Sequence, residues 1–304
     1  MNNEPLVSII VVNYNGKNHL EKCMKSLSEI DYKNYEIVLI DNNSSDDSVK
    51  FITTSYPKVK IITLDKNYGF AEPNNIGARN ASGEFILFLN NDTIVTPNFL
   101  TALINVVKSD PQIAICQSLL LRQNGDVDSS GDFVDTLGMA YSSHQQPSGI
   151  RPILSARGAS MLIRKNTFFE LGSFDKNYFA SFEDIDIGWR AWIWGHRVLL
   201  VPDSIVYHLG GQTIGKMNAI MRFHGLKNLL ITRLVNFEWP YAIRGFFGFF
   251  IVRLMKKFGV TVKNTPTEGF KGKTTGPSLL KTLFLVFFWM IKNFGYISKK
   301  RKYV

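Results

Sequence analysis

Cysteine is scarce in this chain of 304 residues: Cys23 and Cys116 are the two present. Their separation matches no metal-binding spacing and gives no disulfide framework, so a reducing, cytosolic setting fits. Long apolar runs are missing too. No stretch reaches the roughly 20 consecutive apolar residues that a membrane-spanning helix needs. Met1–Pro5 is short and polar, without the apolar core of a secretory signal. No GxGxxG follows the first apolar run, and no GxxxxGK precedes a Ser or Thr. Dinucleotide-binding and P-loop readings therefore lose their main support. Acidic residues are scarce at one end only. Residues 216–304 hold 17 Lys+Arg against Glu238 and Glu268, while residues 1–215 hold 18 Lys+Arg against 23 Asp+Glu. The net charge of +10 thus belongs to the tail, and a basic tail suits an anionic membrane surface or nucleic acid.

What is present is a globular composition, 45% hydrophobic and 20% charged, in a length that allows one large α/β domain with an appendage, or two domains. Leu6–Val12, Glu36–Ile40, Val59–Leu64 and Phe85–Leu89 are short apolar runs rich in β-branched or aromatic residues, and they predict strands. Between them, 18–30 and 72–80 predict helices; Leu20, Met24 and Leu27 mark the buried face of the first. The alternation implies βαβ units and a mostly parallel sheet. Further on, the pattern predicts a helix from Pro97 to Lys108, strands at Ile113–Arg122, Ala159–Arg164 and Val198–Val201 (ending at Pro202), and helices at 165–171 and 182–194. Residues 123–156 read as a long polar, functional loop.

In open α/β sheets, ligands bind at the carboxyl ends of the strands. Three polar clusters stand at such ends: Asn13–Gly16, Asp41–Ser44 and Asn90–Asp92. Each also has the composition of an ordinary turn. In the tail, Phe246–Met255 and Leu283–Ile291 are dense apolar runs with basic flanks at Arg244, Arg253, Lys256, Lys257, Lys281, Lys292 and Lys299–Lys302, and with Trp239, Tyr241, Trp289 and Tyr296 near their edges. Residues 239–304 therefore read as helices lying on an anionic membrane surface; the alternative is a helical hairpin with a basic exterior. Nucleic-acid binding would not need Phe246-Phe247-Gly248-Phe249-Phe250.

Taken together, Val7–Gly16 (VSIIVVNYNG), Val38–Asp46 (VLIDNNSSD), Asn67–Gly77 (NYGFAEPNNIG), Phe85–Val95 (FILFLNNDTIV), Gly158–Arg164 (GASMLIR) and Phe182–Arg190 (FEDIDIGWR) resemble an inverting family 2 glycosyltransferase of GT-A fold, of the rhamnosyltransferase-like branch. The resemblance covers residues 6 to about 211. It implies a Rossmann-like, mostly parallel sheet flanked by helices in residues 1–215, with a nucleotide-sugar half to about 95 and an acceptor half from 96, followed by a basic, apolar helical extension in 216–304. It implies that Asp41 accepts the N3–H of uracil or thymine, and that Asn13, Tyr14, Asn15, Asn43, Asn67, Gly69, Asn75, Asn90 and Asn91 line the donor pocket, with Gly69 letting backbone approach the nucleotide. Asn90-Asn91-Asp92 stands where the family has Asp-x-Asp. Asp92, completed by His208, would hold Mg²⁺ or Mn²⁺; Asn90 lowers the charge of that site. Asp184 would be the general base and Glu183 would orient it or the acceptor. Arg79 would sit on phosphate or cover a helix face, Trp189 and Trp192 could stack on a sugar but, at i and i+3, read as core, and Gly210-Gly211-Gln212-Thr213 would close over the diphosphate. His19, His144, His196 and His224 read as surface or loop groups.

The implied activity is transfer of a sugar from a UDP- or dTDP-sugar to a hydroxyl of a saccharide or lipid-linked saccharide, at the cytoplasmic face of the cell membrane, in cell-surface polysaccharide synthesis. A polyprenyl-phosphate sugar transferase and a non-catalytic sugar-nucleotide-binding scaffold are the alternatives. The chain has no clear Gln-x-x-Arg-Trp, which argues against a processive polymerase of the cellulose-synthase type.

Overall fold

The apolar runs become strands because each can be buried from both sides. In the computed structural model, which describes residues 4–135, 140–210, 219–245, 248 and 279–304, strands β1 (Val7–Asn13), β2 (Tyr35–Asp41), β3 (Lys60–Thr63) and β4 (Phe85–Asn90) run parallel in the order β3-β2-β1-β4. Helices α1 (Lys17–Ser28), α2 (Ser48–Ser55) and α3 (Ala71–Arg79) make the crossovers. After them come β5 (Thr93–Val95), α4 (Phe99–Ser109), β6 (Ile113–Leu121), β7 (Val127–Ser129), β8 (Asp132–Val134), β9 (Ala140–Ser142), β10 (Arg151–Pro152), β11 (Ser160–Arg164), α5 (Lys165–Glu170), α6 (Glu183–Ile193) and β12 (Arg197–His208). β11 inserts antiparallel between β4 and β6, and β12 continues the sheet in parallel with β6.

Alternate residues of each strand face opposite layers. Val7, Ile9, Val11, Leu39, Phe85, Leu87 and Leu89 pack with Leu20, Cys23, Met24 and Leu27 of α1 and with Phe99, Leu103 and Val107 of α4. Ile10, Val38, Ile40, Ile86 and Phe88 pack with Ala71 and Ala78 of α3, Phe168 of α5 and Ile187 and Ala191 of α6.

Two expectations are corrected. The polar stretch 123–156 carries short strands: β7 pairs with β6, β10 with β12, and β8 with β9 as a separate hairpin. The last strand does not end at Pro202. It shifts register between Val201 and Ile205 and continues to His208. A bulge is one of the few places in a sheet that tolerates proline, which has no N–H to donate.

In the extension, α7 (Ala219–Asn236) packs beside α6, and α8 (Leu279–Lys292) and α9 (Phe294–Tyr303) pack on α7. Leu226, Leu229, Leu230 and Val286 form one apolar cluster with Phe182. Tyr178, Ile231, Val235 and Ile297 form another. The opposite side of α8 exposes Phe284, Leu285, Phe287, Phe288 and Ile291. No described helix is long and apolar enough to cross a membrane. The run Phe246–Met255 lies outside the described residues except Gly248.

A buried ion network ties α9 to α6. Lys300 Nζ reaches Asp175 Oδ2 at 2.6 Å and Asp186 Oδ2 at 3.0 Å. Arg190 Nη2 donates to Asp186 Oδ2 at 2.7 Å, and Asn236 Nδ2 to Asp186 Oδ1 at 3.1 Å. Tyr296 donates to Asp175. Removing one member of such a set leaves buried charge without its counter-ion. Lys300→Met keeps the aliphatic stem and leaves Asp186 with Arg190. It should cost about 2 kcal/mol, read as a lower urea midpoint at unchanged slope; an unchanged midpoint would show that the network adds no net stability.

Candidate active site

Parallel pairing on both sides of β1 brings the three polar clusters to one edge: Asn13 lies opposite Asp41, and Val12 opposite Asn90. Asp41 is buried. Its Oδ2 accepts from Ser44 N at 3.0 Å, whereas its Oδ1 finds no partner among the described residues. A buried carboxylate oxygen left open is costly unless something docks there. Asn13 Oδ1 accepts from Asn91 Nδ2 at 2.7 Å, and Asn13 Nδ2 donates to Ser44 Oγ at 3.2 Å. Gly16 is required beneath this pair, since a Cβ there would stand 2.3 Å from Asn91 Nδ2. Asn15 (φ 50°) and Asn43 (φ 68°) take left-handed backbone at the rim, a conformation asparagine tolerates better than most residues. Asn15 Oδ1 accepts from Ser45 N at 2.7 Å. Tyr14 is half-exposed beside them.

Asn42, which the sequence did not single out, fixes the next loop. Its amide donates to Asn67 Oδ1 at 2.9 Å and Gly69 O at 2.8 Å, and accepts from Tyr68 N at 2.9 Å. Gly69 (φ 82°) is a close-approach glycine: a Cβ there would stand 2.1 Å from Phe179 O, so backbone of this chain presses on it. Asn75 also holds backbone of this chain. Its Oδ1 accepts from Phe174 N at 3.1 Å and its Nδ2 donates to Phe174 O at 2.8 Å, so it clamps the chain after α5. Arg79 pairs with Glu72 on α3 at 2.9 Å. Trp189 packs on Phe237 and Trp192 Nε1 donates to Ile153 O, as core residues.

Asp92 and His208 meet because β5 pairs antiparallel with β12, setting Thr93 opposite His208. His208 Nε2 lies 3.4 Å from Asp92 Oδ1 and 3.5 Å from Asn90 Nδ2, and Nδ1 lies 2.9 Å from Asp128 Oδ2. Burial pulls the imidazole down, but the hydrogen bonds with Asp128 and Asp92 outweigh it and raise the ring to about 9. Asp128 is held down at about 2: burial raises it, and the His208 hydrogen bond and the Arg157 charge overcome that. Among the described residues no group of three or more His, Cys, Asp or Glu forms a cage for a metal ion. The donor set fits an ion that takes its remaining ligands from phosphate and water, as Mg²⁺ commonly does. The carboxylate behind the histidine matches the arrangement that orients metal-bound imidazoles. A cation on Nε2 would displace the proton from that nitrogen. In Gly210-Gly211-Gln212-Thr213, residues 211–213 lie outside the described residues.

The acidic pair stands at the start of α6. Asp184 Oδ1 accepts from Ile185 N at 2.8 Å and its Oδ2 from Gly158 N at 3.4 Å. One residue further, Ala159 O accepts from Asn90 N at 3.2 Å, so the chain before β11 touches both halves of the site. Burial, then the nearby Asp132 charge, lift Asp184 to about 6. Burial and the Asp184 charge push Glu183 well above the carboxylate range, and Glu183 Oε2 finds no partner among the described residues. Arg157 stands between the two halves, 3.4 Å from Asp128 Oδ2 and 3.4 Å from Asp132 Oδ1. Asp128, Asp132 and Arg157 were not legible as site residues. They lie in or beside the polar stretch 123–156, where charge carries no periodic signal.

The Asp184 shift has a thermodynamic sign. The folded protein holds the proton more tightly than the unfolded chain, whose carboxyl titrates near 3.8. Its contribution to stability is therefore fully present below about pH 4 and is lost as pH rises through about 6. Asp184→Asn should melt a few degrees above the parent at pH 7.5 and gain nothing at pH 4; equal melting temperatures at both pH values would refute the shift.

Comparison with known proteins agrees with this geometry. The model of Glycosyl transferase family 2 matches residues 8–170. The O-antigen biosynthesis protein RfbC of Myxococcus xanthus is 29% identical over 220 residues, 67% of this chain but 17% of that one. The N-acetylglucosaminyl-diphospho-decaprenol L-rhamnosyltransferase of Mycobacterium tuberculosis is 24% identical over 240 residues, 69% of this chain and 78% of that one. Among solved structures, GalNAc-T7 with UDP, GalNAc and Mn²⁺ superposes with a TM-score of 0.65 at 21% identity, over 78% of this chain and 50% of that chain. S. aureus TarS 1–349 with UDP-GlcNAc superposes with a TM-score of 0.61 at 17% identity, over 87% of this chain and 74% of that one. These last likenesses establish a shared GT-A fold, and the match across more than half of the sequence places the chain in glycosyltransferase family 2.

Proposed function

We propose that the chain transfers a single sugar, with inversion, from a UDP- or dTDP-sugar to a hydroxyl of a lipid-linked saccharide at the cytoplasmic face of the cell membrane, in cell-surface polysaccharide synthesis. The names of the Myxococcus and Mycobacterium relatives support the pathway and the acceptor class. The UDP and UDP-sugar in the structural neighbours support the donor class. The observation that carries the reading is Asp184, buried beside Asp132, lifted to about 6 and linked through Gly158-Ala159 to the edge that holds Asp41 and Asp92. A carboxylate poised near neutrality is what a general base needs.

In this reading the open Oδ1 of Asp41 accepts the N3–H of the base, with Asn13, Asn15, Asn43, Asn67 and the Asn90-Asn91 pair shaping the nucleotide end. Asp92 and His208 Nε2 hold Mg²⁺ or Mn²⁺, with Asp128 behind the imidazole. When bound, the cation neutralises charge on the leaving diphosphate. Asp184 removes the proton from the acceptor hydroxyl as its oxygen attacks the anomeric carbon opposite the diphosphate. Glu183, kept neutral by burial, supports Asp184 and does not compete with it for that proton.

A screen of UDP- and dTDP-sugars with Mn²⁺ tests the proposal. Asp184→Asn should lower kcat by roughly 10²- to 10⁴-fold, and Asp92→Ala should abolish metal-dependent turnover. The parent kcat should climb with pH up to about 6, where Asp184 ionises, and level off above it. Full activity in Asp184→Asn would sink the base assignment and favour a phosphate acceptor, which needs little deprotonation.

The membrane contact belongs to α8, whose exposed Phe284, Phe287, Phe288 and Ile291 are accompanied by exposed Lys281, Lys292, Lys299 and Lys302. Aromatic surface with a basic margin suits an anionic bilayer. The protein should co-sediment with vesicles containing phosphatidylglycerol, less so at high salt, and Phe287→Ser with Phe288→Ser should weaken it; indifference to such vesicles would remove the claim.

A further inference from the structure

The turn that launches the acidic pair is strained. Phe179 (φ 37°), Ser181 (φ 74°) and Phe182 (φ 72°) all hold positive φ without being glycine, and Phe182 O accepts the helical bond from Asp186 N that begins α6. Such a conformation persists only where its surroundings over-determine it. The determinant comes from the C-terminal extension. Asn228 of α7 is fully buried, and its Nδ2 lies 2.9 Å from Tyr178 O, 3.0 Å from Ala180 O and 2.7 Å from Ser181 O. Three carbonyls converging on one amide nitrogen fix both the turn and the amide's orientation. One helical turn earlier, His224, read from sequence as a surface group, stacks on the Phe179 ring at a centroid distance of 4.9 Å. Lys227 donates to Asn177 O.

The same turn leans on the donor side. Phe179 O accepts from Phe70 N at 2.5 Å and presses against Gly69. The loop at 67–70 is in turn held by Asn42, next to Asp41. The segment 178–182 therefore touches the nucleotide loop, the first turn of α6 and α7 at once.

We infer that Asn228 is a positioning residue for the transfer reaction: by holding the strained 178–182 turn it sets the placement of Glu183 and Asp184, so the C-terminal extension completes the active site. This rests on the reading of Asp184 as base. A merely structural Asn228 would support the fold and leave the chemistry of Asp184 untouched.

The test uses the full chain, Mn²⁺ and the donor that turns over in the UDP- and dTDP-sugar screen. Asn228→Ala should lose roughly ten- to hundredfold in kcat with little change in donor KM, and should displace the acidic limb of the kcat–pH profile as Asp184 moves relative to Asp132 and Arg157. Leu103→Ala, which trims the packing of α4 in the apolar layer on the other face of the sheet, should lower the melting temperature while keeping the parental limb. Parental kcat and pH profile in Asn228→Ala would overturn the inference. Should that variant not fold, His224→Leu, which removes the stacking on Phe179 from a less enclosed site, must show the same displaced limb, and a parental limb there overturns it equally. Asp184→Asn assayed alongside separates the two ideas. If it is inactive while Asn228→Ala is parental, the base stands and the positioning role falls; if it is fully active, both fall.

Discussion

Parallel pairing of β1 with both β2 and β4 is the constraint on which the site depends. It puts Asn13, Asp41 and Asn90 within one register step of each other at the carboxyl edge of the sheet. Slipping a strand by one residue would send its buried set to the wrong face. Here both faces are buried: Val7, Ile9 and Val11 against α1 and α4, Ile10 against α3. The packed core therefore fixes the relative positions of the polar groups at the strand ends.

Charge is distributed unevenly along α6. Its first turn concentrates carboxyl groups whose proton affinity is raised by burial, Glu183 and Asp184, with Asp132 raised in the same way nearby. In the same turn, two residues after Asp184, Asp186 is held in its charged form: burial opposes this, but Arg190 and Lys300 overcome it. One helical turn thus carries two carboxyl groups that hold their protons tightly and a third kept charged by its counter-ions. Such a division is expected where a functional site departs from what stability favours. Arg157 serves the other side of the crevice as a shared counter-ion for Asp128 and Asp132.

Much of this was legible in the sequence, for a physical reason. A polar cluster that cuts off an apolar run marks a strand end, so Asp41 and Asn90–Asp92 announce themselves, and the family motifs place Glu183-Asp184 and His208. The strand through Pro202 did not, because proline reads as a stop until the pairing partner reveals a bulge. Asp128, Asp132 and Arg157 did not, because a charged residue in a polar stretch looks the same whether it faces water or a histidine. Asn228 was hidden more deeply: an amide within a helix of the extension has no local pattern, and its meaning lies in a turn 46 residues or more away in sequence. Gly69 was legible as a close-approach glycine, but its contact with Phe179 was not, because the two lie far apart in sequence.

The pairing of β5 with β12 has a consequence for how the molecule comes into being. The register that sets Asn13, Asp41 and Asn90 side by side needs only β1, β2 and β4, all within the first 95 residues. Asp92 waits for His208, which arrives with the last strand of the sheet and after the longest of the crossings. Contacts so distant in sequence form late, since the closing of the intervening chain must come first. During synthesis the chain thus brings the polar groups of its first strand ends together well before Asp92 and His208 can meet.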